Sequence, residues 1–571
     1  MSLLVLATTA MGQGGWTMIT DASNPIVAFT SNGLYKGAAW VDYDNDNDID
    51  LFAAPNFLFR NDGGGAFIQV TSVIGTAPLQ FPGGSSWADA DNDGDMDCAL
   101  AQYPSGLYLN NGDGSFTDAT TALDSLSELA SWGCAFGETN GDGYPEVLYV
   151  HATGFHPAGA AQRPCRFYRS DGTFAPEPVR GYDFTESLAP YTVPYWSDYD
   201  LDGDMDLFIA SGPGGSPGYD HCYRNMRIEL GEDTLIEMTT EAFASVQQDG
   251  QCYNFIDADN DGDLDLCLTN YAGAASRFYR NNSGIYSPES TPWTTGLPRL
   301  ANCWGDYDND GDLDVVITSD YASVRYYSND GTGTFTHEAG SISTANGSTG
   351  CANGDMDNDG DLDLFVYGSN ASKALFRNDT VAGNRSWYSL KLVGTASGTT
   401  ALGGLVRLKA TINGVPRWQI REVNAQNSFQ GHNDLRAHFG LGDATSIDSL
   451  EVRWPSGLVQ SFGILAANAR HTIVEGDAPT TAVPEAPNTT LDEEQLFTVQ
   501  MESANDFMLV TTTAECPSGT WTLHRTNGQV LTTGRLSGSF KIPLGNLSNE
   551  VLLMSAGCGE RKQTTPVPLI N

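Results

Sequence analysis

The sequence is short of positive charge, of histidine and of long apolar runs, and each shortage removes a class of function. It carries 28 Lys and Arg against 71 Asp and Glu, a formal net charge of −43. Nucleic-acid binding needs clustered cations to displace counterions from phosphates, so no nucleic-acid partner is expected. No stretch approaches ~18 apolar residues, so no transmembrane segment is expected either. No Cys-x-x-Cys pair occurs among the ten cysteines, which removes zinc ribbons and thioredoxin-type sites, while their even number permits disulfides in an oxidising compartment. The eight histidines are scattered. His151, His156 and His221 fall in repeats three and four without a ligand-like or acid–base spacing. Gly214-Gly215-Ser216-Pro217-Gly218 matches Gly-x-Ser-x-Gly only formally, because no strand–turn–helix surrounds it.

What remains is a chain of 571 residues with 11 Trp and 63 Gly but only 17% charged residues. That length exceeds one core, and the composition suits domains of short strands and tight turns. Residues 1–14 read as a signal-peptide remnant. Leu3 to Ala7 is apolar and Thr8-Thr9-Ala10 is small, but the basic start is missing and a plain first strand is the alternative.

One acidic nine-residue segment recurs seven times. The first copy carries Asp42, Asp44, Asp46, Asp48 and Asp50; the second carries Asp89, Asp91, Asp93, Asp95 and Asp97. A worn third copy keeps Glu138, Asn140, Asp142 and Glu146. The fourth has Asp198, Asp200, Asp202, Asp204 and Asp206, and the fifth Asp257, Asp259, Asp261, Asp263 and Asp265. The sixth has Asp306, Asp308, Asp310, Asp312 and Asp314, and the seventh Asp355, Asp357, Asp359, Asp361 and Asp363. The starts lie 47, 49, 60, 59, 49 and 49 residues apart, the length of a four-stranded propeller blade.

The flanks repeat as well. Trp40, Trp87, Phe136, Trp196, Phe255 and Trp304 stand two residues before the segment, and an apolar strand such as Leu207 to Ala210 follows it. Then comes a hairpin signal, as in Arg60-Asn61-Asp62-Gly63 or Ser328-Asn329-Asp330-Gly331, whose Asn and Gly would supply positive φ. A strand with a leading aromatic closes the unit, as at Phe116-Thr117-Asp118 or Phe335-Thr336-His337, and is missing from the last. The N-terminus holds a spare one, Trp16 to Asp21, which would complete the seventh blade and remove the free sheet edges. The fold class expected is all-β: a seven-bladed propeller over 15–386, then smaller β-domains.

The acidic segments suit calcium. Asp at positions 1, 3, 5 and 9 can converge, Gly at position 6 permits the turn, and position 7 can add its carbonyl. Such an all-oxygen shell fits Ca²⁺ better than zinc or copper. Asn47 replaces the glycine in the first copy, where Asn tolerates αL. An EF-hand would need Glu at position 12, which here is Ala53, Leu100 or Ile209. The six intact copies hold 30 of the 71 acidic residues, and five carboxylates in nine residues repel at ~1 kcal/mol per close pair even in water. About six or seven Ca²⁺ ions are expected as the cofactors. The worn copy keeps four candidate ligands and stands evenly between holding an ion and not.

These repeats resemble the FG-GAP/VCBS family, which also builds the integrin α-subunit propeller. The resemblance covers about 15–386 and implies calcium in a structural role within each blade. Residues 387–476 alternate apolar and polar, predicting a small antiparallel β-domain. Their segments Trp387 to Gly394, His438 to Gly442 and Ser449 to Gly457 resemble the ASPIC/UnbV domain, as in cartilage acidic proteins and bacterial relatives. There Arg421, Glu422 and His438 are candidate site residues, against the plainer reading as strand-surface or turn-bonding groups.

Residues 477–494 read as a Pro/Thr linker. Residues 495–571, with strands about an Asn527-Gly528 turn, resemble the C-terminal sorting domain of type IX secretion, an Ig-like β-sandwich, although the usual Pro-Asn-Pro entry is absent. Cys516 and Cys558 are a disulfide guess within it; Cys134, Cys252, Cys303 and Cys351, just before acidic segments, are expected as free core thiols.

The reading is an exported calcium-binding propeller, secreted or on the cell surface, with outer-membrane attachment in Bacteroidota if the sorting resemblance holds. It would bind or display, with an extracellular glycan or protein as ligand and the outer-membrane secretion machinery as a second partner. It is not expected to be an enzyme. The alternative is a secreted propeller hydrolase or lyase acting on an extracellular polymer. The long repeats carry insertions, 151–166 and 211–240, where a ligand surface is expected.

Overall fold

The period-two patterns fold into short antiparallel strands, as their alternation dictates. The structure is a computed structural model. It describes residues 15–477 apart from 32, 76–82, 125, 152–161, 175–177, 213–217, 232, 272–273, 297, 345, 370–371 and 380–384, and beyond them strands between 497 and 569. The chain divides into two compact units, Met1–Gly476 and Asp477–Asn571.

Seven sheets follow one another in the first unit, each built from the centre outward. Blade 1 is Ala38–Val41, Asp50–Ala53, Phe57–Asn61 and Phe67–Val70. Blade 2 begins at Gly84–Ala88, blade 3 at Gly133–Gly137, blade 4 at Tyr191–Ser197, blade 5 at Gly250–Ile256, blade 6 at Asn302–Gly305 and blade 7 at Ser348–Gly354. These inner strands pack against one another in order, and the seventh returns to the first, so the ring is closed. The spare N-terminal strand closes it as expected. Trp16–Met18 is the outer strand of blade 7, with Trp16 opposite Asn378 and Met18 opposite Phe376. Blade 3 shows three strands among the described residues, Gly133–Gly137, Glu146–Val150 and Arg166–Tyr168.

Each acidic segment links the innermost strand of its blade to the second, so all seven lie on one face. The aromatic ahead of each loop is buried: Trp40, Trp87, Phe136 and Trp196 are fully enclosed between neighbouring sheets.

Residues 386–476 sit on that acidic face. One sheet orders Ala437–Gly442, Ser386–Val393 and Ala469–Val474; the other orders Val415–Glu422, Leu405–Ile412, Ser449–Arg453 and Val459–Phe462. The expectation of a purely antiparallel domain is corrected at one pair, since Ser386–Val393 and Ala469–Val474 run parallel. A parallel pair needs a long crossover, and the entire second sheet supplies it. Leu390, Val406 and Trp454 share one apolar core with Phe136 and Trp196 of the blades, so propeller and domain are not separable units of packing.

A loop of this domain, 424–434, enters the channel of the ring. His432 exchanges backbone hydrogen bonds with blade 1, and the Gln430 carbonyl accepts from Ser85 N of blade 2 at 3.2 Å. Tyr195 Oη of blade 4 donates to Ser428 O at 3.3 Å, and Asn254 Nδ2 of blade 5 to Asn427 O at 3.0 Å. The approach is close enough to demand glycine. A Cβ on Gly37 would lie 1.9 Å from Gln430 O, and one on Gly431 1.9 Å from Ala38 O.

The second unit contains a three-stranded sheet, Phe497–Glu502, Phe507–Thr512 and Phe540–Pro543, and a four-stranded one. Thr520–Arg525 and Val530–Arg535 pair antiparallel, while Asn527-Gly528, where a turn is expected, lies outside the described residues. Residues 1–14, most of the linker 477–494, residues 152–161 of the first insertion, His156, Gly214 to Pro217 and Cys516 lie outside the described residues, as does the Cys558 side chain. No helix among the described residues is long and apolar enough to cross a membrane.

Candidate metal centres

The ninth residue of each loop starts the second strand and is fully buried. In the first loop backbone amides hold this carboxylate twice: Asp50 accepts from Tyr43 N at 3.1 Å and Asn61 N at 2.7 Å. Asp97 and Asp363 repeat both contacts in their own blades. Burial pushes Asp50 up to about 9 and Asp97 and Asp265 to about 8, so each site calls for a proton or a cation. Position 1 closes the loop by accepting from the amides of positions 5 and 6, as Asp306 does from Asp310 N (3.0 Å) and Gly311 N (2.8 Å).

Position 3 is different. One oxygen of Asp44, Asp91, Asp200, Asp259 and Asp357 is shut off from solvent without a hydrogen-bond partner. Asp42, Asp44 and Asp50 bring ligand atoms within 4.8 Å of one another, as do Asp89, Asp91 and Asp97, and Asp198, Asp200 and Asp206. In the fifth loop the set is Asp257, Asp259 and Asp261. Amides thus take many of the outer lone pairs, while the inner oxygens converge. Arginines partly answer from outside, as Arg224 does at 2.7 Å from Asp200 and Arg280 at 3.1 Å from Asp259. An isolated buried carboxylate oxygen is costly, and a hard divalent cation is the group this donor set fits.

Positions 5 and 7 serve the loop itself. Asp46, Asp93, Asp202, Asp261, Asp310 and Asp359 each accept from the amide two residues on. At position 7, where the sequence offers the carbonyl to a cation, the side chains are engaged elsewhere, and Asp204 also lies with Asp202 and Glu229, their ligand atoms within 4.8 Å of one another. Asp48, Asp95, Asp312 and Asp361 accept from an asparagine at position 4 of the preceding loop: Asn358, Asn45, Asn260 and Asn309 respectively. Asp204 and Asp263 accept instead from the amides of Ile228 and Ser283. Those position-4 asparagines all have positive φ, 57–63°, which Asn adopts more readily than other residues. Position 6 behaves as expected, with Asn47 at 72° where its counterparts are glycine.

The hairpin asparagines have a role that turn chemistry did not reveal. Asn61, Asn110, Asn225, Asn329 and Asn378 each span two blades. Asn110 Nδ2 donates to Met96 O of its own loop at 3.2 Å and to Tyr43 O of the previous loop at 2.7 Å. In blade 3 Ser170 Oγ reaches Ala90 O at 3.3 Å in the same way. The hairpin glycines, such as Gly63 and Gly331, do take positive φ.

The third loop solves its charge differently. Asn140 Nδ2 lies 2.9 Å from Asp142 Oδ2 and 3.0 Å from Glu146 Oε1, so an amide stands between the carboxylates where the other loops have an uncompensated oxygen.

The domain above contributes cations and hydroxyls to the acidic ring. Lys391 lies 3.3 Å from Asp42, Arg470 2.8 Å from Asp355 and Arg417 2.6 Å from Asp312, while Arg453 meets Asp198 and Thr399 meets Asp89. Arg421, Glu422 and His438 are brought together around a cavity of about 120 Å³. Each already has structural partners. Arg421 Nε donates to His438 O at 3.0 Å, Glu422 accepts from Ser197 Oγ at 2.7 Å and Asp198 N at 2.8 Å, and His438 Nε2 lies 3.0 Å from Gly360 O. Burial lowers His438 to about 4. Cys134, Cys252, Cys303 and Cys351 are free and buried on inner strands. His151 is buried with Nδ1 2.8 Å from Ala130 O, and His221 pairs with Glu237 at 2.9 Å.

Comparison with known proteins gives two family matches. A model described as FG-GAP-like repeat matches residues 42–100, 93–149, 257–317 and 306–366, and one described as ASPIC and UnbV matches 394–480. No match was found among curated proteins. Among solved structures, the extracellular domain of the hybrid two component system BT3049 from B. thetaiotaomicron is 10% identical with a TM-score of 0.36, covering 95% of this chain and 56% of that one. The extracellular domain of the one component system BT4673 from the same organism is also 10% identical, with a TM-score of 0.35, covering 97% and 59%. The chain thus spans less than two thirds of either. The Dos1 propeller is 12% identical with a TM-score of 0.33, covering 58% of this chain and 74% of that one. The chain thus contains FG-GAP-like repeats within its propeller and an ASPIC and UnbV domain seated on the acidic face.

Proposed function

We propose that the protein is an exported, calcium-stabilised propeller that binds or displays, and that it is not an enzyme. The observation that carries the calcium part is the buried, partnerless oxygen at position 3, beside the carboxylates of positions 1 and 9. Those residues would hold Ca²⁺, with position 5 and the position-7 carbonyl completing the shell. Bound there, the ion supplies the charge compensation that lets each loop close on the start of its second strand. Six sites follow; the third loop, whose Asn140 amide already bridges two carboxylates, is the exception. Metal analysis after dialysis against millimolar calcium should therefore return six ions per chain, and none would overturn the reading.

An outside location suits such sites, because extracellular calcium modules work at roughly 10⁻⁴–10⁻³ M. Binding is favoured over polymer hydrolysis by the filled channel. Residues 424–434 occupy the concavity a central active site would use. Incubating the calcium-loaded chain with arrayed polysaccharides and matrix proteins tests this, and release of soluble product would reverse the order of the two readings.

A further inference from the structure

The acidic face of the ring is covered, so the far face is the side the propeller leaves open. Four aromatic rings from different blades line up there at the channel mouth. Tyr35 precedes the inner strand of blade 1, Trp132 that of blade 3, and Tyr271 and Tyr321 follow the second strands of blades 5 and 6, all at ends remote from the acidic loops. Ring centroids run Trp132 to Tyr35 at 5.7 Å, Tyr35 to Tyr271 at 6.1 Å and Tyr271 to Tyr321 at 6.1 Å, the last pair within 30° of parallel. Tyr321 is 58% exposed, and Tyr35 and Tyr271 are half-buried. Tyr35 is held at φ 52°, a sparsely populated conformation for an aromatic residue, of the sort that gathers at functional positions.

The hydroxyls fix what this patch can recognise. Tyr271 Oη donates its one proton to Asp320 Oδ2 at 2.7 Å. Tyr271 Oη is also placed to donate toward Tyr321 Oη at 3.3 Å, which leaves the Tyr321 hydroxyl its own proton, while Tyr271 and Tyr35 Oη lie 3.1 Å apart and can bond in either direction. Asp320 Oδ1 has no partner. The patch therefore offers ring faces and phenol oxygens that can accept, with the exposed Tyr321 hydroxyl able to donate as well. The charges facing Tyr35 are those of Asp320 and Asp249, both carboxylates. A matching ligand has many hydroxyl donors, apolar C–H faces to lie on rings, and no negative charge.

We infer that the Trp132–Tyr35–Tyr271–Tyr321 row, with Asp320, is a binding site for a neutral polysaccharide. This deepens the binding reading above by naming a site and a ligand class, and it moves the ligand surface from the two insertions to the far mouth of the ring.

The test is affinity electrophoresis of the calcium-loaded full chain in gels containing xylan, laminarin, hydroxyethylcellulose or polygalacturonate, with tetramethylammonium as a competitor. At least one neutral polymer should retard the wild type. Tyr321→Ala and Asp320→Asn should each weaken that retardation about tenfold or more, with unchanged calcium content and melting temperature. Tyr321 is exposed enough that its loss should leave folding intact. Retardation that survives in both variants would place the site elsewhere and spare the general binding reading. Retardation by polygalacturonate alone, relief of retardation by tetramethylammonium at millimolar concentration, or no retardation by any neutral polymer would overturn the inference.

Discussion

The third loop and its six neighbours occupy equivalent places in one ring, yet they settle the same electrostatic problem by different means. Six loops converge acidic side chains and leave an oxygen that calls for a cation. The third places the Asn140 amide between Asp142 and Glu146. The comparison separates what a loop needs in order to close from what it needs in order to hold an ion. Closure comes from position 1 and 9 acceptors meeting backbone amides, and the third loop keeps both: Gly141 N donates to Glu138 at 2.7 Å and Thr139 N to Glu146 at 2.9 Å.

The largest effect should come from removing calcium from every loop at once. A ligand at a hundred times its dissociation constant contributes about 2.7 kcal/mol per site. Chelation of several sites should then lower the melting temperature by more than about 10 °C, and a melt that EDTA leaves unchanged would break the comparison at its root. A single-site version follows. Asp50→Asn should cost one ion and about 3 kcal/mol, whereas Glu146→Gln should leave the ion count at its wild-type value.

The sign of the pH dependence sharpens the same contrast. In EDTA, Asp50, Asp97 and Asp265 titrate in the folded chain at about 9, 8 and 8, far above an unfolded carboxylate. The folded state then holds protons that the unfolded state has released, so stability is greatest at low pH and falls as pH rises from about 4 toward 8–9. With calcium the ions keep these groups ionised, and protons compete with them as pH falls. Melting temperatures at pH 5 and pH 8 should therefore shift in opposite directions with and without calcium. Parallel shifts would show that the buried carboxylates do not carry the sites.

The inter-blade asparagines give a smaller effect. Asn110→Ala leaves two buried carbonyls, Met96 O and Tyr43 O, without their donor, at about 1–3 kcal/mol each. Ser170→Ala removes one such contact in blade 3 and should cost about half as much by urea denaturation.

Much of this was legible because a repeat compares a sequence with itself. The period marked the blades, Trp16–Met18 was predictable as the strand missing from blade 7, and the acid alternation marked the loops. Four things were not legible. Asn61 and its equivalents sit in a hairpin signal, so local turn chemistry accounted for them and hid a bond to the previous blade. Asp48, Asp95, Asp312 and Asp361 share the spacing of the ligands, yet the fold aims their side chains at the preceding loop. The plug at 424–434 is encoded by no motif; glycines such as Gly37, Gly84 and Gly431 register it, and a lone glycine in a sequence this rich in glycine carries no such message. The aromatic row was hidden because its members lie in four separate repeats and meet only when the ring closes.

The smallest expected effect is the most discriminating, because it asks whether the third loop can be returned to its neighbours' solution. Asn140→Asp removes the amide that bridges Asp142 and Glu146 and supplies the position-3 carboxylate that the other loops possess. In EDTA it should lower stability by about 1–2 kcal/mol, since like charges now meet where a donor had been. In saturating calcium the loss should reverse, with the count rising from six ions to seven as read by metal analysis or terbium luminescence. The longer side chains of Glu138 and Glu146 and the shifted glycines at 141 and 143 should make that seventh site weaker than the rest. A variant destabilised equally with and without calcium, and holding no further ion, would mean that the loop's backbone, and not its third residue, decides whether an ion is held.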